Sequence, residues 1–148
     1  LEKIVDPLLP AGDIATATYQ DGTTKVLVHS DANELNLPMM VLVNGNTASA
    51  AELFTASLKD FGKAEVIGEQ TFGKGIMQNT FELPDGGAVT LTAATYQTTK
   101  GECYHGVGIA PDVIMEEDYE KVDFDHPNPE QDAQLKQAME LLQSKISS

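Results

Sequence analysis

Two side chains of this chain have the types that nucleophilic chemistry needs. Ser49 lies in the segment Asn44-Gly45-Asn46-Thr47-Ala48-Ser49-Ala50-Ala51-Glu52, and Lys74 follows later, between two glycines. A serine hydroxyl is a weak nucleophile at neutral pH, so it needs a base within hydrogen-bond reach. A desolvated, neutral lysine can be that base, whereas the histidines lie in no matching motif. The pair predicts a hydrolase that uses a serine and a lysine. The histidines are His29, His105 and His126.

The elements around Ser49 favour this hypothesis. The apolar run 39–43 predicts a buried strand, and an Ala-rich amphipathic helix is predicted over 50–59. Ser49 then lies at a strand-to-helix turn, where free N–H groups of the first helical turn can stabilise an oxyanion. The structural alternative is that Ser49 is only an N-cap, which is the commoner role of such a serine. Lys74 is open to the same objection, because glycine-flanked lysines are usually solvated loop residues.

A larger pattern extends over four blocks of the sequence. The blocks are residues 41–53, 68–78, 83–92 and 106–112. With these blocks the chain resembles the carboxyl-terminal processing peptidases of family S41, also called tail-specific proteases, from its first residue to about Met115.

The resemblance implies roles for individual residues. Ser49 is the expected nucleophile, Lys74 the general base, and Gln78 the group that positions the lysine by a hydrogen bond. The backbone N–H of Ala50 is expected in the oxyanion hole, and Asp60 is expected to matter for structure rather than for chemistry. No metal and no organic cofactor is implied.

The implied activity is that of a serine endopeptidase that cleaves proteins near an apolar, unstructured C-terminus, outside the cytoplasm. Its partners are protein or peptide substrates, which we expect to add to a sheet edge formed by the strand with Thr90, Thr92 and Thr95. One alternative is a noncatalytic peptide-binding or scaffold module of the same fold. Another is an acyl-transfer enzyme of the crotonase type, which requires a phosphate-binding basic cluster that the sequence does not show.

The sequence departs from the family pattern at two places. Thr47-Ala48-Ser49-Ala50 replaces the usual Ser-Ala-Ser-Ala and keeps a hydroxyl at its first position. Family members also carry an Asn-x-Pro-Gly-Gly segment ahead of the part that resembles 1–9, and one of its glycines supplies an oxyanion N–H. We therefore expect a fragment without this segment and without a PDZ domain, inactive alone because losing one oxyanion donor costs ~10²–10³ in rate. Its exposed strand edges favour a homodimer.

Composition restricts the partners further. The formal net charge is −14, with nine basic residues against 23 acidic ones, which argues against nucleic acid. Much of the acidity lies in 116–130, which we interpret as a solvated linker. A metal site from Asp123, Asp125 and His126 has suitable ligand types but no recognised spacing.

Periodicity and turn residues predict an α/β fold, in the sense of mixed α+β. The resemblance implies a ClpP/crotonase-like peptidase core with strand–helix–strand crossovers and added hairpins. The expected domains are a catalytic core over 1–115, and an acidic linker with an amphipathic helix packing on that core over 116–148. The predicted helices are 2–9, 50–59 and 134–145, the strands are 14–19, 25–29, 39–43, 64–67, 76–83 and 88–96, and 31–37 is a loop.

Overall fold

The computed structural model describes residues 1–31 and 33–147. Residue 32, in the predicted loop 31–37, lies outside the described residues. The helices are α1 (Glu2–Val5), which continues into the 3-10 turn Asp6–Leu8, α2 (Ala50–Asp60) and α3 (Ala133–Ile146). The strands are β1 (Gly12–Tyr19), β2 (Thr24–Ser30), β3 (Met39–Val43), β4 (Ala64–Gly68), β5 (Ile76–Glu82), β6 (Ala88–Thr98) and β7 (Val113–Ile114).

The strands form two sheets. One is antiparallel with the order β2-β1-β6-β5, and it contains both predicted hairpins. The other has the order β3-β4-β7 and is parallel, with α2 connecting β3 to β4. The mixed α/β class predicted from the sequence is therefore confirmed. The two-residue strand β7 was not predicted, because a pair of residues is too short to show a periodicity.

Helix α2 provides much of the core. It contacts β4 of the parallel sheet and β6 and β1 of the antiparallel sheet, so it packs against strands of both sheets. On the apolar side of this helix Leu53 and Leu58 are buried, while Phe54 is half-buried. In β1 the buried Ala15 and Ala17 alternate with outward-facing threonines, as expected for a strand with one face on the core.

Helix α3 lies against β3 and β4. Ala138 and Gln134 are buried on it, whereas the apolar side chain of Met139 is 52% exposed. The Gln134 amide donates to the Met115 carbonyl and to the Tyr119 hydroxyl, at 2.9 and 2.8 Å, which ties the helix to the acidic segment before it. No helix in the described part of the chain is long and apolar enough to cross a membrane.

The predicted peptide-binding edge at Thr90, Thr92 and Thr95 lies on β6, which pairs with β5 along most of its length but with β1 only over residues 94–98. Thr95 is therefore paired on both sides, with Thr18 and Ile76, and cannot accept a further strand. Thr90 and Thr92 pair with β5 alone, so peptide addition beside them stays a prediction. The outer strands of this sheet are β2 and β5.

Gly68, where β4 ends, shows how closely the two parallel strands approach. Its φ is 132°, and a Cβ added there would lie 1.9 Å from the Val43 carbonyl oxygen. Gly12 has nearly the same φ, 134°, but a Cβ there would meet nothing within 4 Å. Substituting each glycine in turn therefore separates the cost of backbone strain, present at both positions, from the cost of a steric clash, present only at Gly68.

We expect Gly12→Ala to lower the free energy of unfolding by about 1–3 kcal/mol, the cost of backbone strain alone. Gly68→Ala should lower the free energy of unfolding by a further ~1–3 kcal/mol or more, because the Val43 backbone must move to make room for the new Cβ. Urea denaturation of the two variants measures the difference. Equal decreases in the free energy of unfolding would show that the close approach of β3 and β4 adds nothing to the cost of the substitution.

Candidate active site

Ser49 occupies a strained turn between β3 and α2. Its φ and ψ are 58° and −118°, and among the described residues no other non-glycine has a positive φ. Such backbone costs free energy and persists only where the surroundings impose it. The Thr47 hydroxyl helps to do so by accepting a hydrogen bond from the Asn44 N–H at 3.0 Å. The hydroxyl that Thr47 shares with the serine usual at this position therefore contributes a hydrogen bond that closes the turn.

A buried carboxylate joins this turn to the loop that carries Lys74. Glu52 is completely inaccessible to solvent. Its Oε1 accepts hydrogen bonds from the Thr71 hydroxyl and from the Gly73 N–H, both at 2.6 Å. Its Oε2 accepts from the backbone N–H groups of Ser49 at 3.0 Å and Lys74 at 2.7 Å. The backbones of the predicted nucleophile and base are thus held by one oxygen atom.

Further hydrogen bonds fix the loop from other directions. The Phe72 N–H donates to the Thr47 carbonyl at 3.0 Å, a second link between the serine turn and the lysine loop. Thr71 is bonded to Ile109 in both directions, through its N–H at 3.2 Å and its hydroxyl oxygen at 2.7 Å. The loop is therefore part of the packed structure and not a free connection.

Ser49, Lys74 and Gln78 line the same open cleft, which has a volume of about 410 Å³. Ser49 and Lys74 are half-buried, and Gln78 is exposed. The β5–β6 register shifts between Met77 and Gln78, and such irregularities re-aim side chains. In the described part of the chain, neither the Lys74 ammonium nor the Gln78 amide forms a hydrogen bond, so the bond implied between them is not made in this structure.

The remaining walls of the cleft are mostly apolar. Ala50 follows Ser49 at the start of α2, where its N–H has no acceptor within the helix. An N–H in this position is available to an oxyanion beside Ser49. The apolar side chains along the cleft are those of Leu1, Leu27, Leu53, Ile76 and Met77.

Other residues singled out in the sequence lie elsewhere. Asp60 accepts a hydrogen bond from the Thr98 hydroxyl, a contact between α2 and β6. His105 has Nδ1 3.2 Å from the Gly73 carbonyl oxygen, outside the cleft. His126 lies beside Asp123, but the described residues contain no group of three His, Cys, Asp or Glu side chains arranged to hold a metal ion.

Two residues that matter here, Glu52 and Tyr96, had no role predicted from the sequence. Glu52 had a recognisable signal, because Ser49 and Glu52 have the spacing of a capping box. Tyr96 had none: its hydroxyl reaches Ser49 and Lys74 through tertiary contacts of β6.

Comparisons with known proteins find relatives of this chain. The family model described as Peptidase family S41 matches residues 1–115. A carboxyl-terminal-processing protease of Synechocystis sp. is 35% identical over 90% of this chain and 31% of its own length. The carboxy-terminal processing protease CtpA of Bacillus subtilis is 40% identical over 76% and 24%. This chain thus spans about a third or less of these relatives.

A solved structure is also similar to this chain. The photosystem II D1 C-terminal processing protease superposes with a TM-score of 0.69, at 36% identity, over 76% of this chain and 30% of that one.

The role of Glu52 can be tested with a nearly isosteric change. Glu52→Gln replaces one acceptor oxygen by a donor, so two of the four donors lose their partner inside the protein. We expect the free energy of unfolding to fall by about 2–5 kcal/mol. Glu65→Gln is the matched control, because the Glu65 carboxylate pairs with Lys145 at the surface and should change stability by less than about 1 kcal/mol. Chemical denaturation gives both values, and similar small losses would contradict the assigned role.

Proposed function

The chain belongs to peptidase family S41, and we propose that it carries the reacting side chains of a serine endopeptidase. Ser49 is the nucleophile, Lys74 the general base and Gln78 the residue that orients the lysine. One observation carries the proposal: the three side chains line a single cleft, while Glu52 holds the backbones of Ser49 and Lys74.

In the proposed reaction, neutral Lys74 accepts the hydroxyl proton of Ser49 as the serine oxygen bonds to a peptide carbonyl carbon. The carbonyl oxygen becomes an oxyanion, to which the Ala50 N–H donates. Lys74 then gives its proton to the leaving amine as the C–N bond breaks. Water, deprotonated by the same lysine, then attacks the acyl carbon; the bond from this carbon to Ser49 Oγ breaks, and Lys74 returns a proton to Oγ, which regenerates Ser49. No metal or organic cofactor takes part.

We propose that the substrates are proteins with apolar, unstructured C-termini. The apolar side chains along the cleft support this preference, since they can bury the substrate side chain next to the attacked carbonyl. The names of the relatives from Synechocystis sp. and Bacillus subtilis support cleavage close to a C-terminus. Replacing the apolar tail of a reporter protein by an acidic tail should therefore raise its KM.

We also propose that full activity needs an upstream glycine N–H as the second oxyanion donor. The small share of each relative that this chain matches supports testing it within a longer chain. The first assay therefore compares the 148 residues with a chain extended upstream, called here the extended chain. We expect the extended chain to cleave an unfolded reporter with an apolar C-terminus ~10²–10³-fold faster.

Substitutions in the extended chain test the nucleophile and the base. Ser49→Ala and Lys74→Ala should each lower kcat/KM at least ~10³-fold and leave the circular dichroism spectrum unchanged. Ser144→Ala and Lys136→Ala make the same changes at exposed positions of α3 and should cleave like the unmodified chain.

Gln78→Ala should be milder, with a loss of up to roughly 10²-fold, because it removes an orienting group only. Gln143→Ala on α3 is its exposed control. If the Ser49→Ala variant cleaves as fast as the unmodified chain, Ser49 is not the nucleophile. Tight binding of the reporter without turnover would then favour the noncatalytic module.

Two further proposals concern assembly and location. We propose that the 148 residues alone pair as a homodimer through the free edges of β2 or β5, which light scattering coupled to size exclusion tests. We also propose a location outside the cytoplasm, on the basis of the family resemblance. Fractionation of cells producing the extended chain checks this placement.

A further inference from the structure

Tyr96 contacts both predicted reacting residues. Its hydroxyl donates a hydrogen bond to the Lys74 carbonyl at 2.8 Å and lies 3.4 Å from Ser49 Oγ. Its backbone N–H donates to the next carbonyl of the loop, that of Gly75, at 3.0 Å. The side chain is only 7% exposed and forms part of the cleft wall. One residue of β6 therefore holds two successive carbonyl groups of the lysine loop beside the serine.

We infer that Tyr96 is a positioning residue that sets the distance between the nucleophile and the base. This inference rests on the proposed function. The Lys74 backbone is held on both sides of its Cα. Its N–H donates a hydrogen bond to the Glu52 carboxylate at 2.7 Å, and its carbonyl accepts one from the Tyr96 hydroxyl. With both groups bonded, the Cα from which the long lysine side chain extends is fixed, although the side chain itself keeps its rotamers.

The Tyr96 hydroxyl also contacts the side chain of Ser49. A phenol has one proton, and the shorter contact assigns it to the Lys74 carbonyl. The lone pairs of the phenol oxygen are then available to the Ser49 hydroxyl as a weak acceptor at 3.4 Å. Tyr96 is thus a weak resting partner of the serine hydroxyl and does not take its proton, which the hydroxyl turns towards Lys74 when it reacts.

The neighbouring Tyr104 provides a matched control. Its ring packs edge-on against that of Tyr96, with centroids 6.1 Å apart and planes at 74°. It is equally buried, and its hydroxyl has no hydrogen-bond partner among the described residues. Burial raises the pKa of Tyr104 far above its usual range, so this hydroxyl stays neutral. Removing either hydroxyl changes the ring pair by one oxygen atom, but only the change at Tyr96 breaks a hydrogen bond to the lysine loop.

The test compares Tyr96→Phe and Tyr104→Phe in the extended chain. We expect Tyr96→Phe to lower kcat roughly 10- to 100-fold with KM changed less than about twofold, because positioning is lost and the cleft keeps its shape. Tyr104→Phe should keep both values. The rate at which a small fluorophosphonate labels Ser49 should fall in parallel with kcat, since this reagent needs no peptide-binding surface. Labelling also counts competent sites, which separates slower chemistry from partial unfolding.

Three results would overturn the inference. In the first, kcat of Tyr96→Phe equals that of the unmodified chain, while Ser49→Ala is inactive; the proposed function then stands and only the positioning role fails. In the second, KM rises and kcat is kept, which makes Tyr96 a substrate contact. In the third, both phenylalanine variants lose the same activity, which makes the effect one of packing. If the unmodified chain is no more active than Ser49→Ala, the proposed function fails, and this inference with it.

Discussion

The site depends on the buried carboxylate of Glu52. A charge removed from water is tolerated only where hydrogen bonds replace its hydration, and Glu52 has four, three of them from backbone N–H groups. These donors come from the serine turn and from the lysine loop, which follow the parallel strands β3 and β4. Parallel strands end at the same edge of a sheet, so a single side chain from the first turn of α2 can reach both segments.

The strain at Ser49 follows from the same constraint. A non-glycine residue with positive φ costs about 1–3 kcal/mol of folding free energy. The turn therefore persists only if it forms contacts that would be lost in a relaxed conformation. The bond from the Ser49 N–H to Glu52 is one, and the bond from the Phe72 N–H to the Thr47 carbonyl is another. Relaxing the serine turn would therefore also disturb the lysine loop. The positions of the two predicted reacting residues are coupled through the backbone.

Local patterns were enough to predict most of the elements. The apolar run before Ser49 and the strands 14–19, 76–83 and 88–96 were predicted from patterns within a few residues, and all were confirmed within one or two residues. Sheet order is a long-range property: β6 pairs with β1, far back in the sequence, and this pairing covers the second side of β6 only over residues 94–98. For the same reason the sequence indicated Ser49 and Lys74, through motif and resemblance, but gave no sign of Tyr96.

The site combines a fixed backbone with free side-chain ends. Both polar groups of the Lys74 peptide are bonded within the protein, yet in the described residues its ammonium and the Gln78 amide form no hydrogen bonds. Hydrogen bonds between reacting groups often tighten only when substrate is bound. Fixing the point from which a flexible side chain extends restricts its tip to a small volume without committing it to one partner. A lysine that must accept a proton from serine and give one to the leaving amine needs that freedom, and the rigid loop keeps both positions within its reach.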